Sequence, residues 1–406
     1  MSLSIVNIAI LSAATLMFLS AVTPFFNPFY RFRRMLKRAA KDSVSENPET
    51  SAEAIPLLPI TVLIVADRNQ SQALESHLPC WLEQRYEPGF EVVVVAEKGD
   101  GETEDVVRRF SRYPNLYATY VPQSSRYMSR QKLAITLGVK AAKNEWIVMT
   151  DVSGRPSSEE WLSTVAPHCG ESRNLVLVYG NYDSQARAFH RFATLQSACY
   201  LLKRAMNKTA YRSNTTTCAF RKSEFIRRDG YRGNLEFVRG EYDFLVNKFA
   251  QKRKTAVVLD PKARMINDAP KGNEWHNRHI FYMHTRKFLK RSRMPRFVFN
   301  TDQFLLHLTV LLQLFMIVAG SVLLSQGENH PEKATTGAIL LASGILSLMV
   351  TVALRTVFAK SVIRFFDADI ALWRVFPYEL SIFWRNRSYS WSYSRSEKSD
   401  FSTHKL

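Results

Sequence analysis

The chain has 406 residues, 46% of them hydrophobic, with 55 Lys and Arg against 36 Asp and Glu for a formal net charge of +19. That apolar content excludes disorder as the main state and supplies a sizeable core plus membrane segments, while the charge fits anionic lipid surfaces, phosphate-bearing substrates or nucleic acid. The four cysteines, Cys80, Cys169, Cys199 and Cys218, form no C-x-x-C pair, which argues against a zinc site or a disulfide framework and for buried, reduced thiols in a cytoplasmic domain.

Ile5 to Phe26 is almost wholly apolar and has the roughly 20 residues that a helix needs to cross a bilayer. The basic residues Arg31, Arg33, Arg34, Lys37 and Arg38 follow this run, where a cleaved signal peptide needs them in front. Residues 1–30 therefore read as a membrane anchor, and the positive-inside bias places the chain after Arg31 in the cytoplasm. Residues 31–56 read as a basic and polar linker.

Apolar runs and helical patterns then alternate, the mark of a parallel sheet with crossover helices. Strands are expected at Ile60–Ala66, Phe90–Ala96, Leu116–Val121 and Trp146–Thr150. Between them, Leu74, Leu78, Trp81 and Leu82 share one helical face, Thr103–Phe110 forms a short helix and Ser129–Ala142 a longer one. In such sheets the ligand lies beyond the C-terminal strand ends, where Asp67 to Asn69, Glu97 and Asp151 fall. No G-x-G-x-x-G and no G-x-x-x-x-G-K-[ST] occurs, so the dinucleotide and P-loop readings lose their main support.

Past the domain (57–288) and a basic juxtamembrane segment (289–303), Phe304–Leu324 and Ala334–Leu354 are both long enough to span. They form a transmembrane hairpin (304–354) flanked by Arg286, Lys287, Lys290, Arg291, Arg293 and Arg296 before it and by Arg355, Lys360 and Arg364 after it. Much of the positive charge is thus juxtamembrane, so anionic lipids are expected partners and nucleic acid is not. Residues 355–406 read as an interfacial segment of one or two helices broken at Pro377, followed by a mobile tail from Arg385 without readable chemistry.

The stretches ITVLIVADRN, LPCWLEQRY, FEVVVVAEKGDGETEDV and SRQKLAITLGVKAAKNEWIVMTD, followed by TTTCAFRKSEF, DGYRG, RGEYDFLVNKFA, VVLDPKA and EWHNRHIFYMHTRKF, resemble in order and spacing a family 2 glycosyltransferase. The resemblance implies an α/β domain of the GT-A type with a mixed sheet, one N-terminal and two C-terminal transmembrane helices, and a membrane location. It implies transfer of a sugar from a nucleotide-sugar donor to a lipid-linked or glycan acceptor, by a single displacement that inverts the anomeric centre. On the donor side, Arg68, Asn69, Glu97, Lys132 and Asp151 match family positions, and Arg155 offers positive charge to the phosphates. Trp275 and Arg278, in E-W-H-N-R, correspond to the family's Trp and Arg near the acceptor and diphosphate, without the Gln of that motif.

Two departures bear on the chemistry. The family's D-x-D holds Mg²⁺ or Mn²⁺; here Asp151 matches the first Asp, while Ser153, a neutral and poorer ligand, replaces the metal-holding one. In the family's G-E-D the Asp is the acceptor base; here Gly240, Glu241, Tyr242 and Asp243 put a tyrosine, with an ordinary pKa near 10, in that place. Glu241 or Asp243 must then act as base. The competing reading is a catalytically impaired relative that serves as a scaffold in a glycan-synthesis pathway.

Overall fold

The computed structural model describes residues 5–45, 57–122, 129–397 and 401. The chain forms two compact units, one from Met1–Glu46 with Arg293–Asn386 and the other from Asn47–Ser292 with Arg387–Leu406.

In the first unit three helices are long and apolar enough to cross a membrane: Ile5–Phe26, Arg293–Ser325 and Pro331–Phe366. The last two extend the expected apolar spans at both ends, because Arg, Lys and Asp keep helical propensity where the apolar stripe stops. They meet where side chains vanish. A Cβ on Gly320 would lie 2.5 Å from the Leu341 backbone nitrogen, and one on Gly337 2.5 Å from that of Leu324. Small residues that let backbones approach are the usual packing device between membrane helices. Polar groups add cross-links: the Gln313 amide donates to Ser20 Oγ at 2.9 Å and to Thr351 Oγ1 at 2.8 Å.

A fully buried ion cluster lies in this unit. Arg355 donates through Nη1 to Glu379 Oε2 at 2.9 Å and through Nη2 to Asp302 Oδ1 at 3.1 Å, and Asn27 Nδ2 donates to Glu379 Oε1 at 2.5 Å. Each of these charges costs several kcal/mol to desolvate, and only mutual pairing makes their burial tolerable.

Two expectations change. The segment from Arg31 is helical, as part of Pro28–Ser45, with Pro28 at the first helical position, where its missing N–H costs nothing; residues 46–56 of the expected linker lie outside the described residues. Pro377 starts a helix instead of breaking one. The Val375–Arg395 helix places it in the first turn, where no intrahelical N–H bond is lost.

In the second unit the strands are β1 (Ile60–Val65), β2 (Phe90–Glu97), β3 (Leu116–Val121), β4 (Trp146–Asp151), β5 (Gly154–Pro156), β6 (Leu175–Val178), β7 (Gly180–Tyr182), β8 (Cys218–Arg221), β9 (Thr255–Val258) and β10 (Met265–Asn267). Seven form one sheet in the order β3-β2-β1-β4-β8-β6-β9, and β5-β10-β7 form a small second sheet. The pairs β1–β2, β2–β3, β1–β4 and β6–β9 are parallel, and β8 runs antiparallel to both neighbours. The first four strands form the parallel run that the alternating pattern implied, and the antiparallel β8 makes the whole a mixed α/β sheet. All six β1 residues are buried, as expected of a strand covered on both faces. Trp81 and Trp161 meet edge to face at 5.3 Å in the core beneath the sheet. All four cysteines are free, three of them buried.

The tail differs from expectation. The helix continues to Arg395, the Tyr389 hydroxyl accepts the Trp275 indole N–H at 2.9 Å, and Phe401 packs on Phe281 at 5.7 Å and stacks on His284 at 4.8 Å. Aromatic residues spaced along a Ser- and Arg-rich segment provide this docking, which the segment's polar composition concealed.

Candidate functional site

The parallel order of β2, β1 and β4 brings Glu97, Asp67 and Asp151 to the same edge of the sheet, the strand C-terminal edge where ligands bind in such folds. Each of these acids is held by a neighbour. Glu97 pairs with Arg68 Nε and, through its other oxygen, with Arg130 Nε at 2.7 Å. Asp67 Oδ2 accepts from Gln131 Nε2 at 3.0 Å and from Arg239 Nη1 at 3.5 Å. Asp151 Oδ1 accepts the Ser153 hydroxyl at 2.9 Å. Burial pushes the Asp151 carboxyl above its usual range, and the Ser153 bond and the Arg278 charge act against that.

The Glu241–Phe249 helix supplies the other wall. Gly240 precedes it with φ +95°, a left-handed turn that a side chain strains. Glu241 is 5% exposed, and its Oε2 has no hydrogen-bond partner among the described residues; burial raises its pKa, with Arg239 and Lys132 opposing. The Tyr242 oxygen is likewise buried without a partner, and burial together with the nearby Asp151 and Glu241 charges holds the phenol well above its ordinary pKa. Tyr242 is therefore a protonated donor at neutral pH. Asp243 Oδ1 accepts from Arg212 Nε at 3.3 Å, and the Arg212 guanidinium lies 4.1 Å over the Tyr282 ring.

Arg278, on the Glu274–Thr285 helix, donates to the Tyr182 hydroxyl at 2.8 Å and feels Arg212, Asp243 and Asp151. Trp275, one turn earlier, stacks on His190 at 4.1 Å. Asp151, Glu241, Tyr242, Asp243 and Arg278 thus fall within one electrostatic neighbourhood, joined by Arg212, which the sequence did not single out. Arg130, Arg239 and Tyr182 were missed too. Arg130 and Arg239 adjoin motif residues, so proximity in sequence carried a signal; Arg212 and Tyr182 reach the site from loops and edges with none.

Other expected residues are placed differently. Lys132 is fully buried, and its ammonium donates to the Asn234 carbonyl at 2.9 Å and to that of Phe237, with the Phe244 ring 5.2 Å away. Burial lowers its pKa to about 8, with Glu241 and Glu236 opposing. Asn69 is the left-handed residue of the turn after β1, with φ 64°. Arg155 lies half-buried in β5, opposite Ile266 of β10.

A divalent cation needs several anionic oxygens free to turn toward it. Here Ser153 and Arg278 already attend Asp151, the other acids at the sheet edge are paired, and among the described residues no group of three His, Cys, Asp or Glu side chains is placed to hold a metal. These residues do not fit a divalent cation.

No family model matches the sequence, and no curated protein matches it. Among solved structures, the chain is similar to the mannosyltransferase PcManGT from Pyrobaculum calidifontis, in complex with GDP-Man and Mn²⁺, at 17% identity over 83% of this chain and 99% of that one, with a TM-score of 0.49. It is also similar to S. aureus TarS 1–349 in complex with UDP (14% identity, 84% and 92% covered, TM-score 0.40) and with UDP-GlcNAc (14%, 83% and 92%, TM-score 0.41).

Proposed function

We propose that the protein is a membrane-anchored glycosyltransferase that moves a sugar from a nucleotide-sugar donor to a lipid-linked or other membrane-proximal glycan acceptor, with its α/β domain in the cytoplasm. The observation that carries this reading is the neighbourhood of Asp151, at a parallel-strand end, with Glu241, Tyr242 and Asp243 at the start of a helix. Donor and acceptor chemistry need those two walls together: one to seat the nucleotide sugar, the other to take a proton from the attacking hydroxyl.

Tyr242 stays protonated, so the base must come from a neighbour. Asp243 Oδ1 is already engaged by Arg212 Nε at 3.3 Å. Glu241 has a buried oxygen without a hydrogen-bond partner among the described residues and a raised pKa, the direction that strengthens a base, and we assign the role to it. The hydroxyl proton passes to Glu241 as the acceptor oxygen attacks the anomeric carbon from the face opposite the diphosphate, which leaves with inversion. Arg68, Asn69, Glu97 and Arg155 are assigned to the donor side, and Trp275 with Arg278 to the acceptor and diphosphate side. Lys132 acts on the donor indirectly, by fixing the Asn234–Phe237 loop.

The test is incubation of the purified full-length protein in lipid nanodiscs with a panel of nucleotide sugars and membrane lipid extract. Transfer or slow hydrolysis with one donor is expected. Inactivity with every donor sinks the enzymatic reading in favour of a scaffold.

A further inference from the structure

The donor set of the site disagrees with the chemistry that a D-x-D site implies, and this disagreement has a consequence for how an anion is held. Asp67, Glu97, Asp151 and Asp243 all have guanidinium or hydroxyl company. A cation entering here has to displace those partners and settle against two guanidiniums, Arg212 and Arg278, which lie in each other's field. Like charges at such range oppose it by Coulomb repulsion in a partly dry site. An anion meets the opposite situation. Arg278 engages Tyr182 through Nη1 at 2.8 Å and Arg212 engages Asp243 through Nε at 3.3 Å, and a guanidinium carries five N–H donors in all. The Tyr242 phenol adds a buried hydroxyl whose hydrogen bond is unfilled among the described residues.

We propose that the diphosphate of the nucleotide ligand is held without a divalent cation, by Arg278 and Arg212 with the Tyr242 hydroxyl as a third donor. The inference rests on the sugar-nucleotide reading above and adds what neutralises the leaving group. Guanidiniums match phosphate oxygens in a bidentate fashion and remain charged at every physiological pH. They can therefore offset developing negative charge on the leaving diphosphate as a cation does elsewhere. Ser153 then has a role of its own: its hydroxyl ties up Asp151 Oδ1 and keeps that carboxylate from recruiting metal.

The experiment measures binding of UDP, GDP, ADP and CDP to the detergent-solubilised full-length protein by calorimetry, once with EDTA and once with Mn²⁺. At least one nucleotide should bind with a Kd that changes less than about threefold between the two conditions. R278Q and R212Q should each weaken binding in EDTA by about tenfold or more, the loss expected for one charge-assisted contact of about 1.5 kcal/mol, while R278K keeps part of the affinity. Melting temperatures of the ligand-free variants show whether a loss is one of binding or of fold. In S153D, Mn²⁺ should tighten binding that it leaves untouched in the parent. Binding that requires Mn²⁺ in the parent, or that is indifferent to both arginine variants, overturns the inference and leaves the sugar-nucleotide reading standing. If no nucleotide binds under either condition, that reading falls and the inference falls with it.

Discussion

Replacing Lys132 by methionine probes the Asn234–Phe237 loop that its ammonium holds. The lysine is fully buried and its ammonium is bonded to the carbonyls of Asn234 and Phe237. Burial lowers its pKa from 10.5 to about 8, so the protonated form costs the folded state about 3 kcal/mol relative to the neutral amine. The sign follows from proton counting. Below pH 8 both states hold the proton and the folded state bears the whole cost. Between about 8 and 10.5 the folded protein sheds the proton that the unfolded chain still binds, so stability rises with pH. From pH 7 to about 9.5 this relieves about 2 kcal/mol, or about 4–8 °C in Tm for a unit of this size. The neutral amine still donates to the loop, whereas methionine leaves the two carbonyls unpaired at every pH. Melting curves of wild type and K132M in the same detergent, at pH 7 and about 9.5, read the difference directly, because titrations common to both cancel. The stability gap should widen in favour of wild type at the higher pH. A gap that stays constant or closes refutes the reasoning and places Lys132 in an open, solvated position.

Three further outcomes are expected. E241Q should lower transfer by about 100-fold or more with little change in donor Kd, as loss of a general base does, and the wild-type rate should fall as pH drops through a Glu241 pKa raised above its ordinary 4.5; a flat acid limb of kcat/KM refutes that assignment. R355M leaves Asp302 and Glu379 buried without their partner and should destabilise the unit of long apolar helices by about 3–5 kcal/mol, whereas R355M combined with D302N and E379Q should recover much of this; equal melting temperatures for the single and triple variants count against the buried cluster. G240A forces a side chain into φ +95°, with its Cβ 3.1 Å from Phe244 Cε2, and should lose about 1–2 kcal/mol, read as a lower Tm; an unchanged Tm contradicts the left-handed turn.

Local pattern alone determined a good deal of this protein. Stretches of about 20 apolar residues are long enough to cross a bilayer, and the three helices long and apolar enough to do so fall where composition put them. Continuous apolar runs such as Ile60–Val65 and Phe90–Glu97 mark strands buried on both faces, so the first four strands were legible. The position of Asp151 at a strand end was legible for the same reason, whereas Glu241 was singled out only through the family resemblance. Tertiary structure decided what those groups touch. That Ser153 turns its hydroxyl onto Asp151, that Arg212 crosses 31 residues to reach Asp243, and that Lys132 points into the core and bonds a loop 102 residues away are long-range pairings, to which periodicity is blind. The tail shows the same limit: a polar composition signalled disorder, while Tyr389 and Phe401 found aromatic and indole partners that exist only once the domain has folded. Propensity acts over a few residues, whereas charge neutralisation is settled between surfaces that the chain brings together last.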